Sequence, residues 1–343
     1  MIKAGLIGTG FMGGTHAACY EALLNSGDFK VTAIADLDID KAGKLACKFG
    51  AQVFKTGMEL IEEGDINMVD ICLPTYMHTE HALKAMEKGF DVFIEKPVCF
   101  NEEEALMLLE MKRKTGVKVA VGQCIRFWDE YAYLKKLIDR NVYGRLISGV
   151  FKRVSPRPGW GWEQWLLDEK KSGLAALDLH IHDVDFVRYI LGRPDNIKSE
   201  IPRVDKGKEH IFSLYRYGNA VISIEGGWDY PSGFPFEMEY RMRFEKAAVA
   251  FNSAKNPSLM VYGEDGTVLE PTIEKDFVSQ NGKLGGNISS LGGYYKELRY
   301  FVECLKQGKE PEISPLEEGI ESFRLTMKEI ETAMGGGNKL GCA

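Results

Sequence analysis

"GLIGTGFMGG", residues 5–14, decides how the chain begins to fold. It overlaps the first apolar run, "IKAGLIG" (2–8), which is continuous rather than alternating, as in a strand buried on both faces. Gly8-Thr9-Gly10-Phe11-Met12-Gly13 is a GxGxxG. Alone, that motif is weak, because glycine-rich turns are common. Here it leaves a buried strand and opens a helix at the first βα turn. Gly8 permits the tight turn, Gly10 lets the backbone approach a pyrophosphate, and Gly13 lets helix and strand pack closely. The anion rests on N–H groups at the helix N-terminus, so Thr9, Phe11 and Met12 join the three glycines as cofactor-binding candidates.

The acid that completes a dinucleotide site follows. "KVTAIAD" (30–36) reads as the second strand and ends in Asp36, 23 residues beyond Gly13. A carboxylate there accepts hydrogen bonds from the adenosine ribose hydroxyls and repels a 2′-phosphate, which favours NAD over NADP. Leu37 and Asp38, not a basic residue, come next.

Outward from this start, strands and helices alternate. Helix follows the glycine turn to about Asn25. "DKAGKLACKFG" (40–50) is helical, with Gly50 placed to end it. "QVF" (52–54) and "MVDICLP" (68–74) are strands, the residues around His78 open another helix, and "DVFIEKP" (91–97) is a strand stopped by Pro97. "NEEEALMLLEMKRKTG" (101–116) is helical behind an Asn101 cap, and "KVAVGQ" (118–123) closes the series. Repeated βα units with short links imply a parallel, doubly wound sheet, hence an α/β fold. After Gln123 the pattern changes. A helix (129–141), a strand-like "GRLISGVFKRVS", another helix and several strand-like runs between 197 and 275 predict an α+β domain with a large, mostly antiparallel open sheet. The expected division is a Rossmann domain over 1–122, a second domain over 123–334 and a flexible tail over 335–343.

Composition narrows the function. The 343 residues are 45% hydrophobic and 27% charged, the mix of a globular protein of two domains. Net charge is -7 and the pI near 5.6, which supplies no basic face for nucleic acid. No apolar run reaches membrane-spanning length, and the first residues lack the charged n-region of a signal peptide. Seven widely spaced cysteines without a CxxC pair point to reduced thiols in a cytoplasm, with no zinc-thiolate site and no metal.

"SGLAALDLHIHDVDFVRYILG" (172–192) reads as a helix with an odd centre: Asp178, His180, His182, Asp183 and Asp185. Positions i, i+4 and i+7 share a helix face, so Asp178, His182 and Asp185 belong together. His180 and His182 diverge on the wheel, which excludes a His-x-His metal clamp. An acid one turn from a histidine suits proton transfer: neutral His182 takes the proton of an alcohol while Asp178 binds a hydroxyl or modulates the ring, and Asp185 orients it. A capped polar face at a domain boundary explains the spacing equally well. Lys96 ends a predicted central strand, where ligands bind in doubly wound sheets, and its ammonium can favour developing charge on a substrate oxygen. A lone lysine there is more often simply solvated.

The sequence resembles the Gfo/Idh/MocA oxidoreductases, the group of inositol dehydrogenase and glucose–fructose oxidoreductase. The resemblance runs nearly the whole length. It rests on GTGFMG with Asp36, "CLPTYMHTEHALKAMEKGFDVFIEKP", "VGQCIRFWDEYAYLKKLIDRNVYGRL", "LDLHIHDVDFVRYILG" and "YYKELRYFVECLKQGKEPEIS". It implies a catalytic set of Lys96, Asp178 and His182. Leu73, Pro74, Thr75, His78, Glu95 and Gln123, with Lys96, stand around the cofactor. The resemblance further implies a homodimer or homotetramer assembled through the second domain's sheet. Two departures stand out: His180 where many relatives have Gly, narrowing the site or adding a contact, and no Gly pair in "RFEKAAVAF" (243–251).

The substrate expected is a cyclic polyol or sugar. "RPGWGWEQW" brings Trp160, Trp162 and Trp165 ahead of the 172–192 helix, and Arg153 or Arg157 could bind a hydroxyl or carboxylate. Arg153 and Trp162 join Asp178 and His182 as substrate-binding candidates, although any single tryptophan, Trp228 included, is as readily a core residue. The leading reading is NAD-dependent oxidation of a secondary hydroxyl. Two others stay open: an enzyme that retains NAD and uses transient oxidation for elimination or glycoside cleavage, and a dinucleotide-binding sensor without turnover.

Overall fold

The computed structural model describes residues 1–24, 27–202, 209–273 and 291–335. In chain order the first stretch holds β1 (Ile2–Ile7), α1 (Phe11–Leu23), β2 (Phe29–Ala35), α2 (Ile39–Phe49), β3 (Gln52–Phe54), α3 (Gly57–Glu63), β4 (Met68–Ile71), α4 (His78–Glu87), β5 (Asp91–Glu95), α5 (Glu102–Thr115) and β6 (Val119–Gly122). The middle holds α6 (Asp129–Asp139), β7 (Leu146–Pro156), α7 (Glu169–Ser172), α8 (Leu174–Asp178), α9 (Ile181–Leu191), β8 (Asn196–Glu200), β9 (His210–Tyr217), β10 (Ala220–Tyr230), β11 (Glu237–Phe244), β12 (Ala247–Asn252), β13 (Leu259–Gly263) and β14 (Val268–Leu269). α10 (Gly292–Gln307) and α11 (Leu316–Gly335) end the described chain. All but Gly335 of the expected tail lies outside the described residues, as does Asn25, the expected end of the first helix; α1 ends at Leu23. No described helix is long and apolar enough to cross a membrane.

The first of two compact units comprises residues 1–127, 160–165 and, among described residues, 291–321. Its six strands are all parallel in the order β3-β2-β1-β4-β5-β6. Local chemistry sets its helices as the sequence predicts: the Asn101 side chain accepts from Glu104 N at the start of α5, and Gly50 and Gly116 end α2 and α5 in the left-handed region, at φ 64° and 70°. α3 was not expected. It has a clear start signal, a capping box in which Thr56 and Glu59 satisfy each other's backbone N–H groups. The unit also departs from the expected division at 122/123. Leu291, Leu298, Phe301 and Val302 of the C-terminal segment pack with Ile2, Ala4, Leu6, Tyr20 and Phe93 in one apolar core, so α10 belongs with the Rossmann sheet.

The second unit comprises 128–159, 166–273 where described, and 322–335. Its eight strands run β14-β13-β12-β11-β7-β10-β9-β8, antiparallel except for β7 beside β10. Alternation sorts their side chains. Phe151, Ile222, Tyr240 and Phe251 face inward, where the Tyr131 ring of α6 meets Phe186, Tyr240 and Phe251 at centroid distances of 4.8, 5.2 and 5.6 Å. Phe212, Leu214 and Tyr262 stand exposed on the opposite face.

Candidate active site

In an open parallel sheet the ligand crevice lies outside the carboxyl ends of the strands, where strand order reverses. In the first unit that reversal falls between β1 and β4. Most of the predicted cofactor residues follow strand ends: Gly8 to Gly13 after β1, Asp36 after β2, Leu73 to Thr75 after β4, Lys96 after β5 and Gln123 after β6; Glu95 is the last residue of β5 and His78 opens α4.

Each glycine of the loop has a different reason to be there. Gly8 sits at φ 91°, and a Cβ on it would lie 2.5 Å from Cys72 O. A Cβ on Gly13 would lie 1.8 Å from Gly8 O, so helix and turn meet there at closest range. Gly10 is exposed, with nothing within 4 Å of its Cβ position, the open approach a phosphate needs. It caps α1 without a side-chain hydrogen bond, which leaves the first N–H groups of the helix for an anion. Thr9 is buried, and Phe11 and Met12 are half-buried.

Asp36 is already oriented. Its Oδ2 accepts from Thr9 N at 2.6 Å and Thr9 Oγ1 at 2.7 Å, and its Oδ1 accepts from Asp38 N at 2.9 Å. His78 ties two loops together: Nδ1 lies 2.8 Å from Pro97 O and Nε2 2.8 Å from Leu73 O. Burial lowers the pKa of His78, outweighing the two carbonyls, which favour the protonated ring. Thr75 Oγ1 and Gln123 Oε1 are buried and have no hydrogen-bond partner among the described residues. Open glycine, free helix N–H groups, a fixed carboxylate and two unsatisfied polar atoms fit a dinucleotide.

Lys96 is half-buried, with its backbone N–H donating to Glu95 Oε2 at 3.2 Å. The Glu95 side chain faces inward instead: its Oε1 lies 3.0 Å from Nε2 of the fully buried His16. A Cβ at residue 122 would come within 2.8 Å of that carboxylate, so glycine there keeps its place open. Trp162 belongs to the first unit and is exposed, next to Glu163 and Gln164, which hold left-handed φ values of 48° and 53°. The neighbouring Trp160 ring lies 6.3 Å from that of Phe11.

In the second unit the expected continuous helix over 172–192 is divided. α8 stops at Asp178 and α9 starts at Ile181. Leu179 N and His180 N both donate to Ala175 O, at 3.1 and 2.9 Å, a widened turn that offsets the helix between Asp178 and His182. Even so, Asp178 and His182 are the half-buried members of the polar group, while His180, Asp183 and Asp185 are buried. Three of those buried groups have structural partners. Asp185 Oδ1 accepts from Ser322 Oγ at 2.6 Å. Asp183 receives Arg153 Nε at 2.8 Å and Nη2 at 3.2 Å. His180 Nε2 lies 3.2 Å from Glu329 Oε1, and a Cβ on Gly226 would come within 2.6 Å of its ring. Arg153, expected as a substrate ligand, is 3% exposed and paired with Asp183. His180, expected to narrow the site or add a contact, is buried against Gly226 and Glu329. Trp228 is buried, and Arg157 is exposed and holds Glu209 at 2.7 Å.

Sequence reasoning passed over His16, Asp70 and Glu297, which gather behind β5. The available signal was a polar residue on the otherwise apolar inward stripe of a helix, at His16 in α1 and Glu297 in α10.

Residues 2–123 match the oxidoreductase family with NAD-binding Rossmann fold, and residues 131–269 match the GFO/IDH/MocA C-terminal domain. The chain is 26% identical over 334 residues to scyllo-inositol 2-dehydrogenase (NAD(+)) of Bacillus subtilis, covering 93% of this chain and 90% of that one. It is 24% identical over 330 residues to myo-inositol 2-dehydrogenase of Thermotoga maritima, covering 91% of each. A levoglucosan dehydrogenase solved with NADH and levoglucosan has the same fold, with a TM-score of 0.83 at 20% identity over 97% of each chain. The glycine turn, the strand order and both domain matches agree: the chain is a member of the Gfo/Idh/MocA oxidoreductases, an NAD-dependent dehydrogenase.

Proposed function

We propose that this dehydrogenase oxidises a secondary hydroxyl of a cyclic polyol or sugar, with Lys96, Asp178 and His182 as its catalytic residues. The observation that carries the reading is the partial exposure of these three side chains, each at the end of a strand or beside a helix break, while their polar neighbours are buried. The inositol dehydrogenases among its relatives support the substrate class. Bound NAD supplies the hydride acceptor. His182 accepts the hydroxyl proton as the carbon gives up its hydride, and Asp178 accepts a hydrogen bond from the same or a neighbouring hydroxyl. Lys96 donates to the reacting oxygen and favours the negative charge that develops there. Trp162 offers a flat apolar face to sugar C–H groups. Asp36 accepts from the adenosine ribose, which selects NAD.

The experiment is purified protein with NAD and a panel of inositols and cyclic sugars, followed at the NADH absorbance band. Steady NADH formation is the expected result. Product without net NADH would point to transient oxidation, and saturable NAD binding with neither would point to a sensor.

A further inference from the structure

We propose that His16 is a positioning residue for Lys96, acting through Glu95 from a buried, proton-sharing cluster behind β5. The inference rests on the reading of Lys96 given above. Tyr20 OH donates to Asp70 Oδ2 at 2.8 Å, and the same carboxylate oxygen lies 2.9 Å from His16 Nδ1. The other ring nitrogen lies 3.0 Å from Glu95 Oε1, and Glu95 Oε2 accepts the backbone N–H of Lys96. A chain of contacts therefore leads from α1 and β4 to the backbone of the proposed catalytic lysine. Successive residues leave a strand on opposite faces, so fixing the Glu95 carboxylate on one face sets how Lys96 departs on the other.

Charge explains why a histidine stands there. Three carboxyl groups, Asp70, Glu95 and Glu297, surround one imidazole in a region almost without solvent. The ligand atoms of His16, Glu95 and Glu297 all lie within 4.8 Å of one another. Burial works against a charged ring, but Asp70 and then Cys72, each by charge and by hydrogen bond, together outweigh it and raise the His16 pKa. Cys72, 3.2 Å from His16 Nδ1, stays a thiol because burial pushes its pKa up. Burial, then the charge of Glu95, raises the pKa of Glu297, so it is held as the neutral acid. Both its oxygens lack a hydrogen-bond partner among the described residues, which costs the charged form far more than the uncharged one. Nε2 of His16 and Oε1 of Glu95 make no directed hydrogen bond at their 3.0 Å separation, so a charged ring holds the Glu95 carboxylate by ion pairing, which a neutral side chain lacks.

The test is a double-mutant cycle on NADH formation, using His16→Gln and Lys96→Met singly and together. Glutamine carries no charge and cannot bridge from two ring nitrogens. The expected result is a loss in kcat of about tenfold for His16→Gln alone, NAD affinity within about twofold of wild type, and a further loss under about twofold in the Lys96→Met background. Equal losses in both backgrounds, or none in the first, would overturn the inference while leaving the role of Lys96 intact. Wild-type turnover by Lys96→Met would instead remove the role of Lys96, and this inference with it. Should His16→Gln not accumulate as folded protein, Glu95→Gln takes its place in the cycle with the same two outcomes. Elemental analysis adds a further check: one divalent ion per chain, held where the shared protons are placed, would overturn the proton-sharing arrangement, and no stoichiometric metal is expected.

Discussion

At the scale of single residues, the same side chain serves chemistry or packing according to what it touches. Asp36 and Asp183 are both aspartates that end or open an element, yet one is half-exposed beside a glycine turn and the other is sealed against Arg153. The place of Asp36 beside the glycine turn was legible because it depends on local order: strand, turn, helix, strand, acid. Asp36→Ala removes an acceptor from the ribose hydroxyls and releases Thr9. A charged hydrogen bond is worth about 1.5–3 kcal/mol, so NAD should bind about tenfold more weakly or worse, as isothermal calorimetry will show. Discrimination against NADP should shrink in the same variant. The buried partners of Arg153 and His180 were not legible, because they stand 30 and 149 positions away and nothing local announces them. Gly226→Ala tests the fit of His180. The added methyl meets the ring at 2.6 Å in a packed interior, and overpacking typically costs about 1–3 kcal/mol, measurable by urea unfolding.

At the scale of elements, hydrophobic pattern carried most of the fold. Continuous apolar runs marked the parallel strands, and alternation marked the sheet of the second unit, because burial on two faces or one leaves those signatures. The break between α8 and α9 left no such mark. It needs no proline or glycine, only two N–H groups sharing the Ala175 carbonyl, and Leu179 and His180 keep right-handed helical angles through it. α9 meets β7 through the rings of Phe186 and Phe151 and through the ion pair of Arg153 and Asp183, whose side chains are 4% and 0% exposed. Removing one partner of a buried ion pair strands the other charge. Asp183→Asn should therefore destabilise the protein by about 3–5 kcal/mol, read from denaturant midpoints.

At the scale of the whole molecule, two domain types in one chain were legible from the change of pattern after Gln123, whereas the return of α10 to the Rossmann core was not. An amphipathic helix shows that it packs, not on what. That return brings Glu297 beside His16, and with it a pH dependence. His16 binds its proton more tightly folded than unfolded, so its stabilisation is complete below its ordinary value near 6.5 and is lost as pH rises through the folded value. Glu297 keeps a proton that the unfolded chain releases near 4.5, so stability also falls as pH rises above that point. Both act in one direction. The melting temperature should decline from pH 6 to pH 9, and Glu297→Gln should flatten the slope; an unchanged slope would mean that Glu297 is ionised in the fold. The exposed Phe212, Leu214 and Tyr262 on the open face of the second sheet fit assembly of copies through that face, which sedimentation can follow. The most direct measurement of the central claim is steady-state NADH formation from an inositol by wild type and by His182→Gln, each saturated with NAD. A general base contributes about 10²–10⁴-fold, so the variant should lose at least about 100-fold in kcat while still binding NAD. Turnover by His182→Gln at the wild-type rate would contradict the account.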